Sequence, residues 1–250
     1  MRTISDNSLS IPTFSIDDIR DDSMTLENKS IIENLVKNMV IVENGIYLQD
    51  IYDVKTFLGT IVSHASPKAT EVDSFYISKY PVTQKEWTLI MGSDPSDYDV
   101  PDEGLPVFGV SYEECLRFIV KLNRITGLKF DLPTSLQWDY AAHGGRTNNF
   151  HLEDKTYEEI NDFAWVDVDK PFPVGLKQPN TLGLYDMFGN LLELCKRNSD
   201  KDIYKGGGTD STRVWHGSTY HYEKYWSEKK WVGNYGFRLV CNEVDIKSLL

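Results

Sequence analysis

Apolar residues recur at helical spacing in four places along the chain, and each run opens on a hydroxyl residue with an acid or amide three positions later. Ser30 and Glu33 accompany Ile31, Ile32, Leu35, Val36 and Met39, and Thr83 and Glu86 precede Trp87, Ile90 and Met91. Ser111 and Glu114 precede Cys115, Phe118, Ile119 and Leu122, and Thr134 and Gln137 precede Trp138, Ala141 and Ala142. Such a pair satisfies two amide donors that the first turn of a helix leaves without partners. The pattern predicts a helix over about Ser30–Met39 and three more starting at Thr83, Ser111 and Thr134. The last three runs stop near Gly92, Gly127 and Gly144, where a left-handed cap favours glycine.

Short apolar or alternating pieces at Met39–Val42, Gly45–Leu48, Phe75–Ile77 and Val107–Val110 predict strands. Beyond Gly145 the chain is rich in Gly, Pro, Asn and Asp and shows no regular period. The reading is an α+β fold with few strands and much irregular structure, whose backbone groups must find side-chain partners. Residues 1–25 are polar, acidic and aperiodic and are expected to form a flexible arm; residues 26–250 are expected to form a single domain.

Charge narrows the partners. The 250 residues carry 26 Lys and Arg against 38 Asp and Glu, a net charge of −12. Such a surface repels phosphate backbones and anionic headgroups, which argues against nucleic acid. No apolar run approaches the ~20 residues that span a bilayer, so membrane insertion is not expected. Met1–Asp22 lacks the apolar core of a signal peptide, so the expected location is cytoplasmic, or outside the cell after release without a cleaved signal peptide. Cys115, Cys195 and Cys241 are too scattered for a disulfide framework and read as reduced, structural thiols. No motif specifies an oligomeric state.

Candidate chemistry is sparse. His216 and His221 stand five apart in a loop, a spacing with no defined metal geometry, and His64, His143 and His151 are isolated. Gly206-Gly207-Gly208 lacks the lysine and hydroxyl residue of a phosphate loop and reads as backbone crowding. The distinctive feature is aromatic: eight of the thirty residues from Gly208 to Phe237 are Trp, Tyr or Phe. Trp215, His216, Tyr220, His221, Tyr222, Tyr225, Trp226, Asn234 and Tyr235 alternate with Ser, Thr, Gly and charged residues. Paratopes have this composition, because rigid amphipathic rings give contact area at low entropic cost. The competing reading is core packing, expected of Trp231 and Phe237.

Several segments, in order, carry a family resemblance: NMVIVENGIYLQD (38–50), DSFYISKYPVTQKEW (73–87), LPVFGVSYEECLRFIVKLNRITGLKFDLPTSLQWDYAAHGG (105–145), PVGLKQPNTLGLYDMFGN (173–190) and GFRLV (236–240). Over about Asn38–Val240 the chain resembles the formylglycine-generating enzyme, or sulfatase-modifying-factor, family. That resemblance implies a variant of the C-type lectin fold. Family catalysis uses two copper-binding cysteines shortly before Gly-Phe-Arg, and Gly206–Arg238 contains none. No copper and no catalytic residue are therefore expected. The resemblance also implies a structural calcium held through Asn190 and Glu193. Departures occur at Asp131, Ser135-Leu136-Gln137, Leu192 and Leu194, and Lys205–Thr209.

Many variable proteins of diversity-generating retroelements look like this family without its cysteines and vary the stretch before Gly-Phe-Arg. The resemblance therefore implies a non-catalytic binding module for a protein, peptide or glycan ligand, contacted through the C-terminal aromatic segment. One alternative is a diverged oxidoreductase or modifying enzyme of the family. Another is a regulatory or structural partner that assembles through the arm.

Overall fold

The computed structural model describes residues 15–49, 68–93, 95–96, 104–145, 161–165, 170–198, 201–206 and 235–242, and the backbone of 222–225. Helix α1 (Leu26–Lys37) starts a turn earlier than the pattern predicts, because the Thr25 side chain already accepts the Asn28 N–H. A helix running through Leu26 leaves Ser30 no orphan donor to cap. Ser30 instead donates to the Leu26 carbonyl at 3.0 Å, and Glu33 pairs with Lys37 at 3.0 Å. Helices α2 (Gln84–Met91), α3 (Tyr112–Thr126) and α4 (Ser135–Ala142) begin with the expected reciprocal caps at Thr83, Ser111 and Thr134. Gly92 and Gly127 close α2 and α3 in the left-handed conformation, and Gly144 follows the last residue of α4's cap, His143, at φ +74°.

Residues 15–25, assigned from sequence to a flexible arm, are docked. Ser15 caps a 3₁₀ turn at Ile16–Asp18, Ile19 is 3% exposed within the core, and the Arg20 N–H donates to the Ile125 carbonyl at 2.8 Å. One buried isoleucine and one backbone bond hold a segment whose composition is otherwise that of a solvated tail. Residues 1–14 lie outside the described residues.

Ten strands form three sheets: β1 (Met39–Val42), β2 (Gly45–Gln49), β3 (Lys68–Val72), β4 (Phe75–Ser78), β5 (Phe130–Asp131), β6 (Leu192–Cys195), β7 (Lys201–Lys205), β8 (Tyr222–Tyr225), β9 (Tyr235–Gly236) and β10 (Val240–Asn242). The central sheet has the order β1-β4-β10-β5, so the last strand lies between much earlier ones. β2 and β3 make a two-stranded ribbon. The third sheet, β8-β7-β6-β9, is antiparallel except where β9 runs parallel to β6.

The stretch Val107–Val110 is buried but is not a strand. Its N–H groups go outward, Val107 to the Val82 carbonyl and Gly109 to the Tyr235 carbonyl, and only an isolated Thr83–Pro106 bridge adjoins it. Pro106 has no N–H to give a ladder, and Gly109 turns the chain at φ +71°.

The central sheet is covered on both faces. Tyr76 and Cys241 enter one apolar cluster with α1, α2 and α3, whereas Phe75, Ile77 and Val240 enter a second with Trp138, Ala141 and Ala142 of α4. In the first cluster Trp87 stacks on Phe118 at 5.4 Å and both meet Phe237 edge-on. The irregular half is held by side chains, as expected. Asn180 accepts the Leu182 and Leu184 N–H groups through Oδ1 and donates to the Ala141 and Ala142 carbonyls at the end of α4. Among the described residues no helix is long and apolar enough to cross a membrane.

Gln84, the first residue of α2, is 3% exposed, and neither its amide oxygen nor its amide nitrogen has a hydrogen-bond partner. A buried unmade hydrogen bond costs about 1–3 kcal/mol. Gln84→Met, which conserves volume, is expected to raise the melting temperature by roughly 2–4 °C per kcal/mol recovered; a lower melting temperature in calorimetry would show that the amide is satisfied in solution.

Candidate functional site: paired buried charges beneath the C-terminal segment

The third sheet brings together residues that a sequence pattern does not connect. β6 places Glu193 at 0% exposure, and the chain after β9 returns with Arg238, also at 0%. Arg238 Nε and Nη2 donate to the two carboxylate oxygens of Glu193, each at 2.6 Å, a bidentate fork that only a planar guanidinium makes. Its remaining donors reach main-chain carbonyls: Nη1 to Ser78 at 3.1 Å and Lys79 at 3.5 Å, Nη2 to Tyr185 at 2.9 Å. From α4 the Trp138 indole N–H donates to Glu193 Oε2 at 2.7 Å. The next residue, Asp139, binds Lys205 of β7 at 2.8 Å, with side chains 5% and 3% exposed.

A third buried carboxylate stands nearby. Asp186 accepts the Gly175 N–H at 2.8 Å and the Trp165 indole N–H at 3.2 Å. Burial is the largest influence and holds its carboxyl above the usual range, although these hydrogen bonds and Arg238 pull the other way. Trp165 stacks on Phe172 at 4.0 Å, and the Lys177 ammonium lies 4.5 Å from the Trp165 ring centre.

The sequence-expected residues fall into three groups. Trp215, His216, Tyr220, His221, Trp226 and Asn234 lie outside the described residues, as does Trp231. Tyr222 and Tyr225 are the ends of β8, opposite Tyr204 and Lys201 of β7. Tyr235 in β9 is half-buried, its ring 5.0 Å from that of Tyr204. Phe237 is core, as expected.

Asn190 and Glu193 do not fit a calcium ion. Both Glu193 oxygens are engaged by Arg238 and Trp138, while Asn190 Oδ1 accepts the Phe172 N–H at 2.8 Å and Nδ2 donates to the Phe172 carbonyl at 3.1 Å. A guanidinium fills the place of the cation, and Asn190 acts as a loop clasp. Among the described residues no group of three or more His, Cys, Asp or Glu side chains is arranged to hold a metal.

The three thiols are all buried and unbridged. Burial pushes Cys115 and Cys195 well up, away from the thiolate that redox and metal chemistry need. Cys195 and Cys241 sit in different core clusters, and Cys241 lies inside β10 rather than after the terminal strand.

Sequence reasoning passed over Trp138, Asp139, Lys205 and Arg238. A signal existed: each charge stands inside a run of apolar neighbours, WDYAA, IYKG and GFRLV, where burial forces pairing.

Comparison with known proteins follows this geometry. Residues 27–243 match the Sulfatase-modifying factor enzyme 1-like domain. The chain is 27% identical over 188 residues to Chaperone protein LppX of Paenibacillus barcinonensis, covering 54% of this chain and 66% of that protein. It is 31% identical over 114 residues to the formylglycine-generating enzyme of Mycobacterium tuberculosis, covering 39% of this chain and 35% of the enzyme. It thus spans just under two thirds of the first relative and about a third of the second. Among solved structures it is similar to Treponema denticola variable protein 1, with TM-score 0.69, 19% identity, 82% of this chain and 94% of that chain covered. It is also similar to PvdO from Pseudomonas aeruginosa, with TM-score 0.64, 18% identity and the same coverages, 82% and 94%. These similarities identify the fold as the formylglycine-generating-enzyme-like variant of the C-type lectin fold.

Glu193→Gln leaves the Arg238 charge buried without its counter-ion and is expected to cost roughly 3–5 kcal/mol, read as a lower urea midpoint with unchanged slope. A midpoint equal to wild type would mean that water reaches Arg238. Trp138, Glu193 and Arg238 all fall within the matched span 27–243, and the chain belongs to the sulfatase-modifying factor enzyme 1-like domain family.

Proposed function

We propose that this family member is a non-catalytic binding module whose ligand, a protein, peptide or glycan, is contacted by the C-terminal aromatic segment. The observation that carries this reading is the way the segment is rooted. It leaves the third sheet at Gly206, runs back through β8 and re-enters at Tyr235 in β9, so its ends rest on β7 and β6. Recognition needs this arrangement: contact residues on a loop whose base is rigid, so that little entropy is lost on binding. Similarity of fold to Treponema denticola variable protein 1 supports the reading at the level of the scaffold. The buried, protonated thiols support it from the side of chemistry.

The alternative, a diverged oxidoreductase or modifying enzyme, draws on the 31% identity to a formylglycine-generating enzyme. Purified protein incubated with copper, oxygen and a cysteine-containing peptide is expected to give no aldehyde, and a mass loss at the peptide cysteine would favour the enzyme.

Wild-type protein panned against a random-peptide library and a glycan array is expected to yield saturable ligands. Combined Tyr222→Ala, Tyr225→Ala and Trp226→Ala should weaken them by about tenfold or more at unchanged melting temperature, since each aromatic hot spot contributes about 1–2 kcal/mol or more. Equal binding by the triple variant would remove the segment as the contact surface. Gene copies from related strains are expected to differ mainly within 209–235, and substitutions spread evenly over the chain would count against a diversified surface.

A further inference from the structure

Among the described residues, Lys205 and Arg238 are the two buried cations, and they stand at the two feet of the aromatic segment. Lys205 is the residue before Gly206, where the segment departs, and Arg238 comes three residues after Tyr235, where it returns. Their counter-ions come from separate elements, Asp139 of α4 and Glu193 of β6. One dipeptide touches both pairs: Asp139 holds Lys205, and the Trp138 indole donates to Glu193. Around the exit point the Gly206 carbonyl accepts the Gly189 N–H at 2.7 Å, and a Cβ on Gly206 would stand 3.2 Å from the Trp138 ring.

The strands themselves do little to fix their alignment. β7 reads Lys-Asp-Ile-Tyr-Lys and β8 reads Tyr-Glu-Lys-Tyr, a pair with polar residues on both faces. Strands of that kind specify register weakly, and a slip by one residue turns every side chain to the other face. A slip in β7 would carry the Lys205 ammonium away and strand the Asp139 carboxylate in the core. Apolar side chains in the same two places would pack without any desolvation cost, yet they would fit a slipped strand as readily as an aligned one.

We propose that Trp138 and Asp139 are positioning residues that lock where the C-terminal segment leaves and re-enters the third sheet, and that the Lys205–Asp139 pair is kept for register rather than for stability. The proposal rests on the binding reading only for its functional meaning. Register sets which residues of the segment stand where on the proposed contact surface, while its test requires no ligand.

The test compares hydrogen exchange in full-length protein with thermal melting. In the double variant Asp139→Leu with Lys205→Met, the melting temperature should stay within about 4 °C of wild type. Amides of β7 and β8 should exchange at least about tenfold faster, while those of α3 remain as slow as in wild type. Lys205→Arg should restore slow exchange, because the charge pair is rebuilt. Lys205→Met alone should melt earlier, since it leaves Asp139 buried without a counter-ion. Unchanged protection of β7 and β8 in the double variant would overturn the proposal, showing that register is set elsewhere. So would a double variant that fails to fold or that loses protection in α3 as well, since the pair would then be a general stabiliser. Loss of ligand binding in the aromatic triple variant bears on neither outcome.

Discussion

A fully buried guanidinium organises this fold. Arg238 is charged, dry and central, so each of its donor directions must meet an acceptor or the folded state loses several kcal/mol. The acceptors it meets come from three distant places: the end of β4 with the residue after it, the loop at Tyr185, and Glu193 in β6. Satisfying one side chain therefore sets the relative positions of the central sheet, the irregular loop and the third sheet. It also explains why the short stretch Phe237–Leu239 can link β9 to β10, and so join two sheets.

The irregular half follows the same rule at smaller scale. Chain without ladders must satisfy its backbone through side chains, and Asn180, Asp186 and Asn190 each take on that task for neighbouring turns. Asp186 and Asn190 have positive φ, +56° and +66°, a conformation that Asn and Asp tolerate better than other side chains. Asp186 is buried beside other charges, and its raised carboxyl marks a residual desolvation cost offset by two N–H donors. Polar residues so placed give a loop-built layer a single conformation, which a surface meant to hold contact residues requires.

Scaffold and contact surface are thus separable in physical terms. The scaffold's charges are paired inward, its thiols are enclosed by apolar side chains, and its helices are capped by their own sequence. The segment between Gly206 and Tyr235 is tied to this scaffold at its ends, so residues between those ends can answer to a ligand rather than to the core. The family fold supplies the base, and similarity below one quarter identity to the solved structures carries the fold and nothing finer.

The sequence alone determined what neighbouring residues settle among themselves. Thr83, Ser111 and Thr134 find their capping partners three residues away, and Gly92 and Gly127 relieve backbone strain at their own positions, so three helices and their ends were legible. The ordered segments from Asn38 to Val240 likewise announced the family. Where a local signal had a competitor it misled: Ser30 lost the helix start to Thr25, and Val107–Val110 gave its hydrogen bonds to scattered partners instead of to a ladder. Glu193 looked like a cation ligand, and it is one, but the cation is an arginine 45 positions later. Only tertiary structure decided which charges are buried and with whom they pair, because Lys205 and Asp139 are 66 residues apart and Arg238 and Ser78 are 160 apart. Desolvation acts on position in space, and no local pattern of side chains records which distant residue the folded chain will bring alongside.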